Sequence, residues 1–540
     1  MKKKILLLCL LSMFILIGSS QVNAAGKVVF NVITNPGADL SKEVNVNWHS
    51  EETGTYLEYT LVGDTNFENK VKVTPTERPF TSPVDARGEK MPDRNIVSAS
   101  LTNLTPNTKY MYRVGNGTTW SKLYYFTTAK EGTFSFLHIT DPQYYSQSTA
   151  DVFNGLMGKA YEQNPNLAFT YFTGDIIDKG GSEAQWSMFF NASNIPTNII
   201  ATTPGNHEYY DFNGSGAYFE DFYDMHNNNP KNGAEGALNT SYYFKHNNTL
   251  FISINSEKKS MQNQTKWFAE VCEQNTDVNF IIVGMHRSMY GSTYASDSIA
   301  VRTNWQKLFD RYGVDLVLSG HDHIYARSKH IYDDKVSTDP IKGTTYIIGG
   351  SGGQKFYDQI PNSKYEKVIT FTSVANIITV SENEISINLI NQTGATIDTL
   401  NTPIKSKRIG TVDSNFNKEA FIASLDLEAD PLSPTLGNVS WPKNAYGNIV
   451  TVEVLDKNDI ILSQLFVYNE NLNTLMFSGI KTDRLNEFKV KMTFEDGSEE
   501  FKTFVIDNTP PAPNITIFET LERIRTALDE AIIGIYKGDN

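Results

Sequence analysis

Five apolar stretches in the middle of this 540-residue chain end on oxygen or nitrogen donors. FSFLHIT runs into Asp141, LAFTYFTG into Asp175, NIIATTPG into Asn206 and His207, NFIIVGM into His286, and VDLVLSG into His321 and His323. Short apolar runs bounded by turn signals read as buried strands. In α/β sheets, the side chains just past the carboxyl ends of such strands converge on one crevice. Carboxylates, neutral imidazoles and an amide oxygen are donors that Zn, Mn and Fe accept. Seven or eight of them exceed the needs of one ion, so the natural count is two ions sharing a bridging carboxylate. Such a pair, about 3.5 to 4 Å apart, polarises a phosphate, lowers the pKa of bound water and stabilises an in-line displacement. GHDH, residues 320–323, sets two imidazoles on a tight loop where each can face a different ion.

Donors of this kind need a rigid frame. Over residues 132–405, apolar strands alternate with helical patterns such as DVFNGLMGKAYEQ, EAQWSMFF, QTKWFAEVCE and RTNWQKLFDRYG. In the last of these, Trp305, Leu308, Phe309 and Tyr312 recur at helical spacing. The alternation predicts an α/β domain whose sheet is at least partly parallel. Before it, residues 26–130 read as short alternating stretches, EVNVNWHS and YLEYTLV among them, broken by Gly, Asn and Pro, which is a β-sandwich pattern. After Lys405, NIVTVEVLD, SQLFVYN and EFKVKMTFED predict a second, immunoglobulin-like sandwich over 411–508. DNTPPAPN then reads as a stiff linker. In the 515–540 segment, Ile517, Leu521, Ile524, Leu528, Ile532 and Ile535 share one face of an amphipathic helix that needs a partner surface.

The chain opens MKKKILLLCLLSMFILIGSSQVNAAG: lysines, a short apolar run, then small residues. That is the pattern of a secretory signal peptide over 1–24, cut after Ala24, and the apolar run is short for a bilayer span. The mature protein is therefore expected outside the cell, with no stable membrane span. Losing Lys2, Lys3 and Lys4 and no acid takes the formal charge from −14 to −17. So acidic a surface argues against nucleic acid as a partner, since polyanions are held by Lys and Arg. Of the two cysteines, only Cys272 would remain, which rules out an internal disulfide.

The order and spacing D…GDxxD…GNHE…H…GHDH resemble the calcineurin-like metallophosphoesterase superfamily. LTNLTPNTKYMYRV and WSKLYYFTT in front resemble a fibronectin type III domain and the amino-terminal domain of purple acid phosphatases. TYIIGGSGG and NIITVSENEISINLINQTGATIDTL behind resemble the same branch. The resemblance covers roughly residues 27–400. It implies a four-layer α/β core of two packed mixed sheets flanked by helices, which with the sandwiches read on either side makes the expected fold multidomain. It also implies that Asp175 bridges two ions, that Asp141 and His323 hold the first, and that Asn206, His286 and His321 hold the second. His207 would face the phosphate without touching a metal. Two positions depart from the pattern. Gln143 stands where most members have a His, so it either supports the site or ligates weakly. Asp178 stands where purple enzymes have a Tyr, and it resembles the carboxylate that in other branches steadies the catalytic His.

The remaining motifs have blander readings. His138, His226, His246 and His330 fit no motif and read as structural or surface residues. IIGGSGG lacks the Lys-Ser/Thr pair of a phosphate loop and reads as a turn at the edge of the site. DSNFNKEAFIAS lacks the central Gly and terminal Glu of a calcium loop. The leading expectation is a secreted hydrolase of small phosphate monoesters using two Zn, Mn or Fe ions. The alternatives are a phosphodiesterase or nucleotidase with the same site, or a surface-binding protein with a vestigial phosphoesterase domain. In that last case the sandwiches would contact cell wall or host surfaces.

Overall fold

The computed structural model describes residues 28–509 apart from 85–87, 89, 193, 196, 211–220, 258–260, 292, 339–342, 360, 401–402, 406–415, 431–432, 443–448, 467–472 and 495–497, and, further on, 521–526 and 528–529. The expected signal peptide lies outside the described residues, as does much of the expected carboxyl-terminal helix. Its described residues are helical, and Leu521, Ile524 and Leu528 are exposed.

Eight short strands form the amino-terminal unit as two four-stranded antiparallel sheets. Trp48, Leu57, Tyr112 and Val114 fill the space between them. The strand Val44–Ser50 alternates apolar and polar residues yet is buried at every position. Val44, Val46 and Trp48 face the sandwich core, while its polar face is covered by the next domain. There Asn47 Nδ2 donates to the Met225 carbonyl at 2.9 Å, and His49 Nε2 does the same at 2.8 Å.

Two seven-stranded mixed sheets make the α/β domain. Six of their strands matter to the site: β1 (Phe134–Ile139), β2 (Thr170–Thr173), β3 (Ile200–Thr203), β4 (Phe280–Gly284), β5 (Leu316–Ser319) and β6 (Thr345–Gly349). In the first sheet β3, β2 and β1 run parallel, and Val374–Val380 continues it antiparallel beside β1. In the second, Thr249–Ser253, β4, β5 and β6 run parallel between antiparallel edges. The inner faces meet through aromatic pairs set edge to face, Phe136 with Phe251 at 5.2 Å and Phe169 with Phe244 at 5.5 Å. Helices cover the outer faces, Gln147–Gln163 and Glu183–Asn191 on one sheet, Met261–Gln274 and Ala295–Arg311 on the other. Gln147–Gln163 starts at a capping box between Ser146 and Thr149 and buries Phe153, Leu156, Met157 and Ala160 at helical spacing. The result is the expected four-layer core.

Beyond it, a three-stranded and a four-stranded antiparallel sheet enclose Trp441, Val452, Phe488 and Val490. Arg311, at the end of its helix, donates to the Ile449 carbonyl at 2.7 Å and ties this carboxyl-terminal unit to the core. No helix among the described residues is long and apolar enough to cross a membrane.

Candidate active site

Each of β1 to β5 ends at the same rim, and the donors sit two to four residues past the strand ends. The backbone there is bent sharply. Asp141, Gln143, Asp175, His321 and His323 all have positive φ, between 41° and 73°. Non-glycine residues in this left-handed region are uncommon and cluster where function requires them. Neighbouring glycines leave room for the carboxylates. A Cβ on Gly205 would collide with Asp175 Oδ1, and one on Gly320 with Thr140 Oγ1 and Asp141 Oδ2.

Two donor groups result, Asp175 with His286 and His321, and Asp141 with Asp175 and His323, so that Asp175 belongs to both. His286 Nε2 lies 3.2 Å from Asp175 Oδ2, and His323 Nε2 lies 3.4 Å from Asp141 Oδ1. His321 Nδ1 is 3.3 Å from His286 Nε2. The opposite ring nitrogens are fixed by other partners. His286 Nδ1 donates to the Thr173 carbonyl at 2.8 Å, and His323 Nδ1 to the Lys355 carbonyl at 3.0 Å. His321 Nε2 lies 3.3 Å from Asp297 Oδ2. Such contacts set ring orientation and leave the other nitrogen free to ligate. Burial depresses His321 to about 2 and His323 to about 3, which keeps both imidazoles in the neutral form that ligates.

The carboxylates show the same preparation. Asp141 Oδ2 accepts from Thr140 Oγ1 at 2.8 Å and from the His321 amide at 2.9 Å. Its Oδ1 is buried with no hydrogen-bond partner, and so is Asn206 Oδ1. The Asn206 amide nitrogen is occupied, donating to Tyr210 OH at 2.8 Å, which turns the oxygen inward. Buried polar atoms left without partners are costly, and two of them beside these imidazoles fit a pair of cations. Burial, together with the Asp175 charge, pushes Asp141 up to about 8. Burial acts on Asp175 in the same direction, but the imidazoles of His286 and His207 outweigh it and hold Asp175 well below the usual carboxylate range.

His207 stands outside both groups. Its Nδ1 donates to the Asp178 backbone carbonyl at 2.6 Å, and the Asp178 carboxylate lies further off, 3.5 Å away. The partner of the ring is thus chiefly main chain rather than the expected carboxylate. Gln143 reaches the site as a donor, its Nε2 3.2 Å from Asp175 Oδ2. Tyr144, adjacent to that loop, is buried and donates to Asn154 at 3.1 Å on the helix behind, away from the donors. His138 bonds Thr173 inside the first sheet, and His226 packs against Trp186 and stacks on His49.

Several neighbours, Glu208 of GNHE among them, had no role assigned from the sequence. Glu208 accepts from the amides of Asp175, Ile176 and Gly205 at 2.7–2.8 Å, joining the loops after β2 and β3. Tyr210, Arg287, Tyr294, Asp297, Lys355 and Tyr357 line the open pocket of about 230 Å³ above the donors. Of these, Arg287 follows His286, Tyr210 lies two residues past GNHE and Lys355 two past IIGGSGG. A larger cleft of about 750 Å³ lies at the opposite ends of β1 to β3, away from every donor.

This architecture has known counterparts. Residues 134–325 match the family model of calcineurin-like phosphoesterases, and residues 29–128 match that of the purple acid phosphatase N-terminal domain. Acid phosphatase type 7 of Danio rerio is 26% identical over 366 residues, covering 59% of this chain and 77% of that protein. Probable inactive purple acid phosphatase 1 of Arabidopsis thaliana is 28% identical over 334 residues, covering 49% of this chain and 51% of that one. The solved purple acid phosphatase PPD1 of yellow lupin shares the fold at a TM-score of 0.61 and 17% identity, over 71% of this chain and 75% of that one. With its Asp and His donor groups, residues 134–325 form a calcineurin-like metallophosphoesterase domain, which makes the protein a phosphoric ester hydrolase. Within that class it stands in the purple acid phosphatase-like branch, whose amino-terminal domain it carries.

Proposed function

We propose that the protein is a secreted phosphomonoesterase working with two metal ions, Zn, Mn or Fe. The observation that carries this reading is the pair of donor groups sharing Asp175, with the partnerless oxygens of Asp141 and Asn206 beside them. In it, Asp175 bridges, Asp141 and His323 hold the first ion, and Asn206, His286 and His321 hold the second. Bound there, the ions polarise the phosphate, supply hydroxide from water and stabilise the in-line transition state.

The chain's own residues do the rest. Gln143 steadies Asp175 by donating to it. His207 binds a phosphate oxygen through Nε2 and protonates the leaving alkoxide. Because its Nδ1 proton is committed to the Asp178 carbonyl, Nε2 can donate only when the ring is imidazolium; the Asp178 and Asp175 carboxylates lie 3.5 and 3.8 Å away. The pocket is open and small, which suits a phosphate on a leaving group that stays largely in solvent. Diesters and nucleotides remain the competing substrates, and the relative named inactive makes turnover the point to measure.

The test is a hydrolysis panel of aryl monoester, aryl diester and nucleotide, run on protein whose metal content has been determined. Monoester turnover that vanishes on chelation and returns with Zn, Mn or Fe supports the reading. Diester turnover exceeding it would reassign the substrate. Secretion is tested by finding the mature chain, beginning at Ala25, in the medium.

A further inference from the structure

The cleft of about 750 Å³ opens where the amino-terminal sandwich meets the α/β domain. Tyr125 comes to it from the last strand of the sandwich, Lys130 from the connection between the domains, Asn166 from the loop before β2 and Asn194 from the loop before β3. Junctions between domains are common places for ligand sites, and the volume falls within the ~300–1,000 Å³ that encloses an organic ligand. The walls are fixed by main-chain bonds. The Ala129 amide donates to the Leu40 carbonyl at 2.8 Å, Thr128 Oγ1 to the Thr105 carbonyl at 2.7 Å, and the Ala168 amide to the Ser135 carbonyl at 2.8 Å.

The charge of the cleft is opposite to that of the chain. Lys109 and Lys130 line it, and no Asp or Glu is among the described residues that do, although the whole chain carries a formal charge of −14. Among the described residues no carboxylate pairs with either lysine, and Lys109 Nζ lies 5.7 Å from the centre of the Tyr125 ring. A cleft lined by one sign of charge focuses its field on ions of the other sign. The neutral part of the lining calls for hydroxyls. The side chains of Asn107, Asn166 and Asn194 make no hydrogen bond among the described residues, and each amide offers both donors and an acceptor. His246 is 2% exposed, and its Nδ1 is buried without a hydrogen-bond partner. Stacking on Phe134 at 3.9 Å fixes its ring, and burial depresses it to about 4, so near neutral pH the imidazole too carries one donor and one acceptor. Sugar hydroxyls both donate and accept, whereas an ionised carboxylate or phosphate alone only accepts. The half-buried Tyr125 ring adds an apolar surface for the face of a sugar ring.

We propose that this cleft binds an acidic oligosaccharide, with carboxylates on Lys109 and Lys130 and hydroxyls on the amides and the imidazole. Bound there, a carboxylated glycan holds the enzyme in place while the metal pocket, at the other ends of the strands, stays open to substrate. The site does not depend on which ester the metal pocket hydrolyses. Its test is calorimetric titration of the metal-replete full chain, with saturating inorganic phosphate present to occupy that pocket. The acidic probes are trimers of galacturonate, mannuronate and sialic acid; maltotriose supplies hydroxyls without charge, and triglutamate charge without hydroxyls. At least one acidic trimer is expected to bind, with maltotriose and triglutamate each weaker by about 10-fold or more, the scale of lost charge-assisted and neutral hydrogen bonds. Lys109→Gln combined with Lys130→Gln should weaken the trimer by about 10- to 100-fold, and arginine at both positions should keep most of the affinity. Failure of every acidic trimer to bind would overturn the site, as would affinity unchanged in the double glutamine variant. Triglutamate binding as tightly as the trimer would make the cleft a site for any polyanion, and maltotriose doing so would remove the lysines from recognition; either result contradicts an acidic glycan.

Discussion

At the scale of single residues, His207 separates acid–base work from metal holding. It lies outside both donor groups while facing the same pocket, with Nε2 3.8 Å from Asp175 Oδ2. His207→Ala is therefore expected to keep the metal content of wild type and to lower kcat by about 10²- to 10⁴-fold, the usual contribution of a general acid. Loss of metal in that variant would show that the ring ligates. The donors themselves were legible in the sequence, because Asp, Asn and His directly after apolar runs have few structural uses. Lys355, Tyr294 and Tyr357 were not, because they reach the pocket from loops whose course depends on tertiary packing. Asp178 was legible as a neighbour of His207 but not in its manner of contact, since main-chain carbonyls leave no trace in residue type.

The elements act by holding loops in register. Glu208 is the clearest case, one buried carboxylate receiving amides from the loops after β2 and β3. A Gln there presents an NH₂ group to at least one of those N–H donors and leaves it unsatisfied. Glu208→Gln should cost about 1–3 kcal/mol in urea unfolding, the penalty for a buried orphan donor, and should weaken metal retention on dialysis. Stability and metal content equal to wild type would show that the two loops hold themselves. Strand ends and helices could be read from periodicity, as the burial of Trp305, Leu308, Phe309 and Tyr312 on one helix illustrates. The pairing of Val374–Val380 with β1 could not, because that contact joins residues more than two hundred positions apart and alternation alone sets no partner. Nor could the full burial of Val44–Ser50, whose polar alternation reads as a solvent face until the neighbouring domain covers it.

Over the whole molecule, the amino-terminal sandwich braces the core instead of lining the pocket. Asn35 donates to the Ile200 carbonyl at 2.9 Å, and Asn228 to the Ala99 carbonyl at 3.2 Å, so β3 is clamped from outside while all pocket residues come from the α/β domain. Buried neutral histidines lie at this junction and within the α/β core. Burial depresses His49 and His138 to about 3 and His246 to about 4. Unfolded, each takes up a proton near pH 6.5, but folded it does not until the lower value. Their contribution to stability is therefore complete above about pH 6.5 and lost as the pH falls toward 4 to 3. Thermal melts should give a lower Tm at pH 5 than at pH 7, and a smaller difference in His246→Phe; a Tm that rises on acidification would contradict this. The account as a whole depends on two ions sharing one carboxylate. Its most direct test is elemental analysis of the purified chain beside Asp175→Asn, with turnover measured on the same samples and the fold checked by circular dichroism. The expected result is about two metals per wild-type chain, with metal and nearly all activity lost in a folded variant. Two tightly held metals and full activity in Asp175→Asn would contradict it.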